Sequence, residues 1–294
     1  MPELPEVETI ARGLNTRVAG DAIESVWIGS RKQPLKSPAA LIASTLEGKR
    51  ILKVHRAGKH IVFDLEGESS RSPAAPKKGK RAVRGQKRPA ASLHTAQWIV
   101  HLGMTGRLVV CEPAAEIAKH THLIAKLASG RELRFIDPRM FGKLSVHLHP
   151  GGFDPGGVEP LEVDEERFIA LFRGRKTPIK SALLNQKLLR GVGNIYADES
   201  LFRAGLRPRR RAATITRERL RNLHRAVGEV LREAIALGGS SISDYVDADG
   251  AEGFFQLQHR VYGREGEPCL TCGATIRRVV LSGRSSHYCS KCQE

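Results

Sequence analysis

Apolar residues recur at intervals of three and four positions near the start of the chain. Six of them would lie on one face of a helix: Leu4, Val7, Ile10, Ala11, Leu14 and Val18. That period is typical of an amphipathic helix packed against a core. We therefore predict a helix over residues 3–18.

The pattern changes between residues 22 and 136, where β-branched and apolar residues form short runs broken by Gly, Pro and polar positions. The predicted strands cover residues 23–28, 60–65, 98–102, 106–110, 122–127 and 133–136. Several short strands in succession are typical of an antiparallel sandwich or barrel. Together with the helix they predict a first domain over residues 1–150.

Residues 67–94 interrupt this strand pattern. Eight Lys or Arg and no acid occur between residues 71 and 88, and no apolar period is visible. Such a segment cannot bury enough apolar surface to offset the entropy lost on folding. We predict a disordered, basic insertion between two strands.

Helical spacing returns after a Gly- and Pro-rich turn that ends near residue 157. The predicted helices cover residues 164–173, 178–189, 195–204 and 216–237. They form a second domain over residues 151–255, in which the Gly-, Ser- and Asp-rich residues 239–255 are expected to be a mobile loop. The predicted fold class is α+β multidomain: an N-terminal helix plus an antiparallel β-sandwich, then a helical domain and a C-terminal hairpin over residues 256–294.

The charge balance limits the class of binding partner. The chain has 48 Lys and Arg against 31 Asp and Glu, a net charge of +17, which favours a polyanion such as nucleic acid or an acidic membrane. No run approaches the roughly 18 apolar residues of a spanning helix, and the acidic first residues do not resemble a signal peptide. We expect a cytoplasmic protein that works on nucleic acid.

Four of the five cysteines lie within the last 26 residues. Cys269, Cys272, Cys289 and Cys292 give the spacing C-x2-C-x16-C-x2-C, which suits tetrahedral thiolate zinc with a hairpin between two knuckles. Two disulfides are the alternative, but a cytosolic chain keeps its thiols reduced. We predict one structural zinc ion, and a buried core position for Cys111.

Proline at position 2 carries unusual chemistry. Removal of Met1 would expose the secondary amine of Pro2, which condenses with an aldehyde carbon to give a cationic iminium. Glu3 beside it could shuttle protons if burial raises its pKa. A proline here is also typical of an ordinary helix start, so the rest of the chain decides between the two interpretations.

Six short motifs stand in order along the chain. They are Met1-Pro-Glu-Leu-Pro-Glu-Val-Glu-Thr9, His101-Leu-Gly-Met-Thr-Gly106, Asp137-Pro-Arg-Met-Phe-Gly142, Gly191-Val-Gly-Asn-Ile-Tyr-Ala-Asp-Glu199, Val261-Tyr-Gly-Arg-Glu-Gly-Glu-Pro-Cys269 and the cysteine hairpin. Each is weak alone, but together they closely resemble the bacterial formamidopyrimidine-DNA glycosylases, bifunctional glycosylase/AP lyases for oxidised purines. The resemblance covers the chain except the 67–94 insertion.

The resemblance implies a set of catalytic residues. Pro2 matches the Schiff-base nucleophile that attacks C1′ of the damaged nucleotide, and Glu3 matches its neighbouring acid. Lys59, after Gly58, matches the lysine that assists β-elimination. Arg284, between the two cysteine pairs, matches the arginine that holds phosphate and is assigned to δ-elimination; zinc would fix that hairpin tip.

The resemblance also implies residues that handle a flipped-out nucleotide. Met104, Arg139 and Phe141 match three side chains that fill the space left in the duplex. Methionine and phenylalanine suit such wedges, and an arginine can bond the orphaned base. Relatives often carry a second basic residue where this chain has Met140.

Residues 176–194 resemble a helix–two-turn–helix DNA-binding element. Asn194, preceded by two glycines, would grip a phosphate at a helix start. His120, Arg175 and Lys180 match further DNA contacts of the family.

The resemblance therefore implies excision of oxidised purines, such as 8-oxoguanine and formamidopyrimidines, from duplex DNA, followed by β,δ-elimination at the abasic site. Structural zinc would be the one cofactor, damaged double-stranded DNA the partner, and the monomer the working form in the bacterial cytoplasm, at the nucleoid. Two alternatives stay open: an endonuclease VIII-like glycosylase for oxidised pyrimidines, and a non-catalytic DNA-damage-binding protein.

Overall fold

A computed structural model describes residues 1–66, 94–148, 151–241 and 253–294. The chain begins with helix α1, Leu4–Val18, whose buried face matches the predicted apolar period. Glu3 and Glu6 form a capping box at its start, which satisfies amide groups that a helix leaves unpaired. The predicted N-terminal helix is confirmed.

Eight strands form two antiparallel four-stranded sheets. One has the order β1 (Ile23–Ile28), β6 (Thr121–Leu127), β7 (Glu132–Ile136), β5 (Arg107–Cys111); the other has the order β2 (Ile51–Ala57), β3 (His60–Glu66), β4 (His94–His101), β8 (Lys143–His147). The apolar faces of both sheets and of α1 share one core that includes Phe63, Trp98 and Phe135. The predicted sandwich is confirmed.

Several details of this first region differ from the sequence predictions, among them strands β2 and β8, which lie outside the predicted strand ranges. A helix, α2 (Ala39–Leu46), lies in a stretch where only strands were expected; Pro38 starts it, and Ile42 and Leu46 bury one face. Cys111 is half-buried rather than part of the core, because it is the last residue of an edge strand. Residue 94 belongs to β4, and the rest of the predicted insertion, 67–93, lies outside the described residues.

The second region is helical, as predicted. Its helices are α3 (Glu165–Phe172), α4 (Ile179–Leu183), α5 (Asn194–Arg203) and α6 (Arg217–Ala236). The prediction of one helix over 178–189 is wrong in length: after α4 the Asn185 side chain accepts a bond from the Lys187 amide at 3.0 Å and turns the chain, an Asx turn that competes with the helix. Most of the predicted 239–255 loop lies outside the described residues.

The last strands are β9 (Ile276–Leu281) and β10 (Arg284–Cys289), which pair as an antiparallel hairpin. Ser282 and Gly283 at its tip both have positive φ, 49° and 75°, as a tight two-residue turn requires. Across the described ranges, no helix combines the length and apolar character needed to span a membrane.

Candidate functional site

The first residues of the chain pack against the turn that starts α5. The Leu4 amide donates to the Gly191 carbonyl at 3.0 Å, and the Ile195 amide donates to Glu3 Oε1 at 3.1 Å. A Cβ on Gly193 would lie 2.2 Å from the Glu3 carboxyl carbon, so only glycine permits this approach. The predicted residues Pro2, Glu3 and Asn194 thus lie together, where the sandwich meets the helical region.

Glu3 is buried, and its second carboxylate oxygen, Oε2, has no hydrogen-bond partner among the described residues. Burial raises the pKa of Glu3, while Lys59 and the amides of Ile195 and Tyr196 act in the opposite direction. A raised pKa lets the carboxyl keep a proton at a higher pH than free glutamate does. Glu3 is therefore suited to exchange a proton with a neighbouring group.

Lys59 lies in the tight turn between β2 and β3, after Gly58 with φ of 61°. Its side chain is buried, and burial lowers the pKa of the ammonium, with Arg284 acting in the same direction and Glu3 against it. A lysine with a lowered pKa is more readily deprotonated near neutral pH. The fold thus brings Lys59, Glu3 and Arg284 within electrostatic range of one another.

A buried ion-pair network supports this junction. Arg56 donates to both oxygens of Glu159 at 2.9 Å and to Glu8 at 2.8 Å. Arg190 bonds the same Glu159 at 3.3 Å, and a Cβ on Gly58 would touch the Arg190 side chain. The network joins α1, the Lys59 turn and the segment leading to residue 191, so it fixes the two halves of the site relative to each other.

Glu6 is a buried acid that sequence reasoning did not single out. It accepts bonds from the Glu3 amide at 2.7 Å and the Ser240 amide at 2.9 Å, and from the Tyr196 hydroxyl. Burial and the nearby Glu3 raise the pKa of Glu6. Its position in the Pro-Glu-Val motif was the available signal. Glu6 ties the N-terminus to Ser240, a partner 234 positions away in the sequence.

His259 holds the same segment from the other side. Its Nε2 lies 3.2 Å from Ser240 Oγ, and burial lowers its pKa to about 4. A neutral ring can accept from Ser240, whereas a protonated ring cannot.

Because the unfolded chain protonates His259 near its usual pKa and the folded chain resists it, the free energy of unfolding should fall as the pH drops from about 6.5 toward 4. We expect His259→Gln to lose less stability over this interval than the wild type, measured by guanidinium unfolding. His224→Gln, which removes a partly buried histidine of α6 that bonds a carbonyl, is the matched control. An identical loss in wild type and His259→Gln would contradict the assignment.

The three predicted wedge residues project from two loops that one aspartate holds together. Asp137 is fully buried; its oxygens accept from Thr105 Oγ1 at 2.6 Å and from the Gly142 amide at 2.7 Å. Met104 and Phe141 are large apolar side chains that are 42% and 53% exposed. The guanidinium of Arg139 lies 5.0 Å from the centre of the Phe141 ring. The structure thus places all three on one rigid, exposed platform.

The sequence predictions did not include His101 among the site residues, although it is the first residue of the motif over residues 101–106. Its Nδ1 accepts from the Gly103 amide at 3.1 Å and so shapes the loop that carries Met104. Burial lowers the pKa of His101 to about 4, with His60 and Lys143 adding to the effect. The ring is therefore neutral at neutral pH, as an acceptor must be.

The predicted DNA contacts are not equally available. His120 is half-buried, Arg175 is exposed, and Asn194 at the start of α5 has an amide oxygen without a partner among the described residues. Lys180 is fully buried; its ammonium lies 2.7 Å from Asp198 Oδ1 and donates to the Ser285 carbonyl at 2.6 Å. In this structure the Lys180 ammonium is thus engaged by protein groups, and its contact with a phosphate stays a prediction.

Lys180 instead belongs to a clamp that holds the C-terminal hairpin. Asp198 also accepts from the His287 amide at 2.9 Å. The next residue, Glu199, accepts from three successive amides, those of residues 260, 261 and 262, at 2.8 to 3.0 Å. Two adjacent acids of α5 thus fix the hairpin, and with it Arg284. Spacing alone did not reveal them, because most of their partners are backbone amides distant in the sequence.

The four terminal cysteines meet at one point. Their sulfur atoms all lie within 4.8 Å of one another, with pairs at 3.5 and 3.9 Å. Tetrahedral zinc with Zn–S bonds of about 2.3 Å needs sulfurs about 3.8 Å apart, whereas a disulfide needs about 2.05 Å. The four thiols therefore fit one zinc ion and not two disulfides.

Comparisons with known proteins agree with this geometry. A sequence model described as the formamidopyrimidine-DNA glycosylase N-terminal domain matches residues 1–144, and its H2TH domain matches residues 157–246. A zinc finger found in FPG and IleRS matches residues 266–294. The chain belongs to the formamidopyrimidine-DNA glycosylase family. It is a DNA-binding repair glycosylase with a structural zinc finger.

Members of the formamidopyrimidine-DNA glycosylase family match along their whole length. The protein of Solibacter usitatus is 44% identical and that of Gluconobacter oxydans 39% identical, with both chains fully covered in each case. The crystal structure of MutM (Fpg) from Thermus thermophilus has a TM-score of 0.81 at 39% identity, covering 99% of this chain and 98% of that one. MutM in complex with DNA containing carbocyclic 8-oxo-G has a TM-score of 0.83 at 32% identity, with full coverage of both chains.

Proposed function

We propose that the protein excises oxidised purines from duplex DNA through a Schiff base at Pro2 and then cleaves the abasic sugar by β,δ-elimination. The observation that carries the proposal concerns Glu3, the residue next to Pro2: its buried carboxylate has an oxygen without a partner among the described residues and lies within electrostatic range of Lys59. The structural relative bound to DNA containing carbocyclic 8-oxo-G supports the lesion class.

The proposed chemistry begins after removal of Met1. The amine of Pro2 forms a bond to C1′ as the bond from C1′ to the base breaks; the departing base takes a proton, and opening of the sugar leaves an iminium. Loss of a proton from C2′ then expels the 3′ phosphate, and a second elimination expels the 5′ phosphate. Glu3 and Lys59 are placed to move these protons, because burial shifts the pKa of each toward neutrality.

Arg284 is the residue we propose to hold phosphate for the second elimination. It lies at the tip of the zinc-finger hairpin, and the Lys180–Asp198 pair fixes the strand that carries it. Zinc, when bound by the four cysteines, supplies rigidity to that hairpin. The arginine itself does the binding, since its planar fork suits phosphate.

DNA binding also involves separate groups of residues with separate roles. We propose that Met104, Arg139 and Phe141 fill the space left by the flipped nucleotide, and that His120, Arg175 and Asn194 hold the backbone. Residues 1–150 would act as the catalytic domain, 151–255 as the helical DNA-binding domain and 256–294 as the zinc finger. The monomer would work on chromosomal DNA in the bacterial cytoplasm.

Borohydride trapping on two duplexes tests the proposal. With an 8-oxoguanine duplex, reduction should yield a covalent protein–DNA product and strand ends typical of β,δ-elimination. With a thymine-glycol duplex the yield should be at least about tenfold lower, the discrimination that unmatched polar groups in a pocket can give. Preferential trapping of thymine glycol would indicate the endonuclease VIII-like activity, and binding without trapping would indicate a non-catalytic damage binder.

A further inference from the structure

The sandwich carries a basic loop that the proposed chemistry does not use. Residues 29–46 contain Arg31, Lys32 and Lys36 and no acid. All three side chains are exposed, and within the described ranges no carboxylate lies at ion-pair distance from Arg31. We call these three residues the 31–36 surface. Unpaired cations gathered on one loop attract an anionic partner.

The 31–36 surface lines a cavity of about 620 Å³ together with Ser30 and Ser37. The polar lining consists of cations and hydroxyl groups, which are the side chains that bind phosphate oxygens in DNA complexes. The larger, apolar part of the lining includes Ile28, Leu35, Pro38 and Ala39. The cations and hydroxyl groups of this cavity can bind phosphate oxygens, and its apolar part can contact the adjoining sugar.

Arg31 reaches the platform that carries the wedge residues. Its Nη1 lies 3.6 Å from the sulfur of Met140, the residue between Arg139 and Phe141. Met140 has a φ of 56°, a conformation that a methionine holds only when its surroundings impose it. Asp137 fixes that loop, and the contact with Met140 places the guanidinium of Arg31 beside the wedge residues.

We propose that the 31–36 surface binds the phosphate backbone of duplex DNA beside the inserted wedge, with Arg31 as its principal contact. Position 140 carries no charge, so Arg31 supplies the cation at this point of the platform. The inference rests on the proposed function only in that duplex DNA binds with the wedge residues facing it.

Binding to a duplex with a tetrahydrofuran abasic analogue tests the proposal without any chemical step. Each phosphate contact adds about 0.9 to the slope of log affinity against log salt. Arg31→Ala should therefore bind more weakly than wild type. The affinity of the wild type divided by that of Arg31→Ala should fall about 3.5-fold between about 50 and 200 mM salt. Fluorescence anisotropy at several salt concentrations measures both quantities.

Two further variants locate the contact. In the Arg31→Ala background, Met140→Arg should restore the slope, because it places a guanidinium on the same spot. Lys126→Ala is the control, because it removes an exposed cation of β6 that lies away from the 31–36 surface. Lys126 pairs with Ser25, near the start of β1, whereas the 31–36 surface follows Ile28 at the end of β1. This variant should leave the slope unchanged.

Three results would overturn the proposal: a wild-type slope in Arg31→Ala, an equal loss in Lys126→Ala, or no restoration by Met140→Arg. Excision of 8-oxoguanine by the wild type is measured alongside. If the proposed function is wrong, the wild type will not excise 8-oxoguanine in that assay. The salt slopes would still test the contact of Arg31 with DNA, because they require no chemical step.

Discussion

An acylated N-terminus should abolish both borohydride trapping and lesion excision. Acylation converts the amine of Pro2 into an amide, which has no lone pair free to attack C1′. We expect a rate loss of at least about a thousandfold, the scale on which enzymes lose activity when a covalent nucleophile is removed. Single-turnover excision on an 8-oxoguanine duplex measures it.

Two controls separate chemistry from folding. A tag at the C-terminus should leave trapping intact, and the acylated protein should still bind a tetrahydrofuran duplex because its platform and zinc finger are unaltered. Pro2→Gly keeps a primary amine and should trap DNA at a reduced rate. Full activity of the acylated protein would show that the nucleophile lies elsewhere.

Loss of one zinc ligand should change the products as well as the binding. Cys289→Ser removes a thiolate from the four-sulfur site, and apparent binding free energies of structural zinc are about 10–16 kcal/mol, so the hairpin should unfold without it. Arg284 then loses its fixed place. We expect zinc to fall from one per chain to nearly none, and strand ends to shift from β,δ- to β-elimination products, on a denaturing gel.

Cys111→Ser is the matched control, because Cys111 is a half-buried thiol outside the four-cysteine site. It should keep its zinc and the wild-type products. The sandwich core is separate from the hairpin core, so circular dichroism of Cys289→Ser should retain the strand signal. A zinc-free Cys289→Ser protein that still performs δ-elimination would refute the role of the hairpin.

The features predicted well from sequence are those with a repeating or fixed spacing. The apolar period gave α1, the short apolar runs gave the sandwich, and the cysteine spacing matches a site whose sulfurs lie within 4.8 Å. Each depends on residues close together in the chain, where geometry follows directly from spacing. Helix α6 was also predicted closely: its capping residue Thr216 and its buried apolar face match the helix predicted over residues 216–237.

The features that sequence did not reveal depend on distant contacts. Lys180 looks like a surface cation until Asp198 and Ser285 are seen around its ammonium. Glu6 and Glu199 accept hydrogen bonds from backbone amides of residues up to 234 positions away, and a backbone partner cannot be read from the identity of its side chain. Helix α2 was hidden because its eight residues sit among strands, and tertiary packing decides such short segments.

The way α1 is shared between the two larger cores has a consequence for synthesis on the ribosome. Leu4 packs in the helical core, whereas Val7 and the rest of the apolar face pack in the sandwich core. The amide of Leu4 meets Gly191, a residue translated long after it. Since domains fold as they emerge, a nascent sandwich carries the proposed nucleophile Pro2 with no finished pocket around it. A chain stopped before residue 191 would therefore be unable to cut DNA. The site that cuts DNA would be completed only when the last third of the chain has been translated.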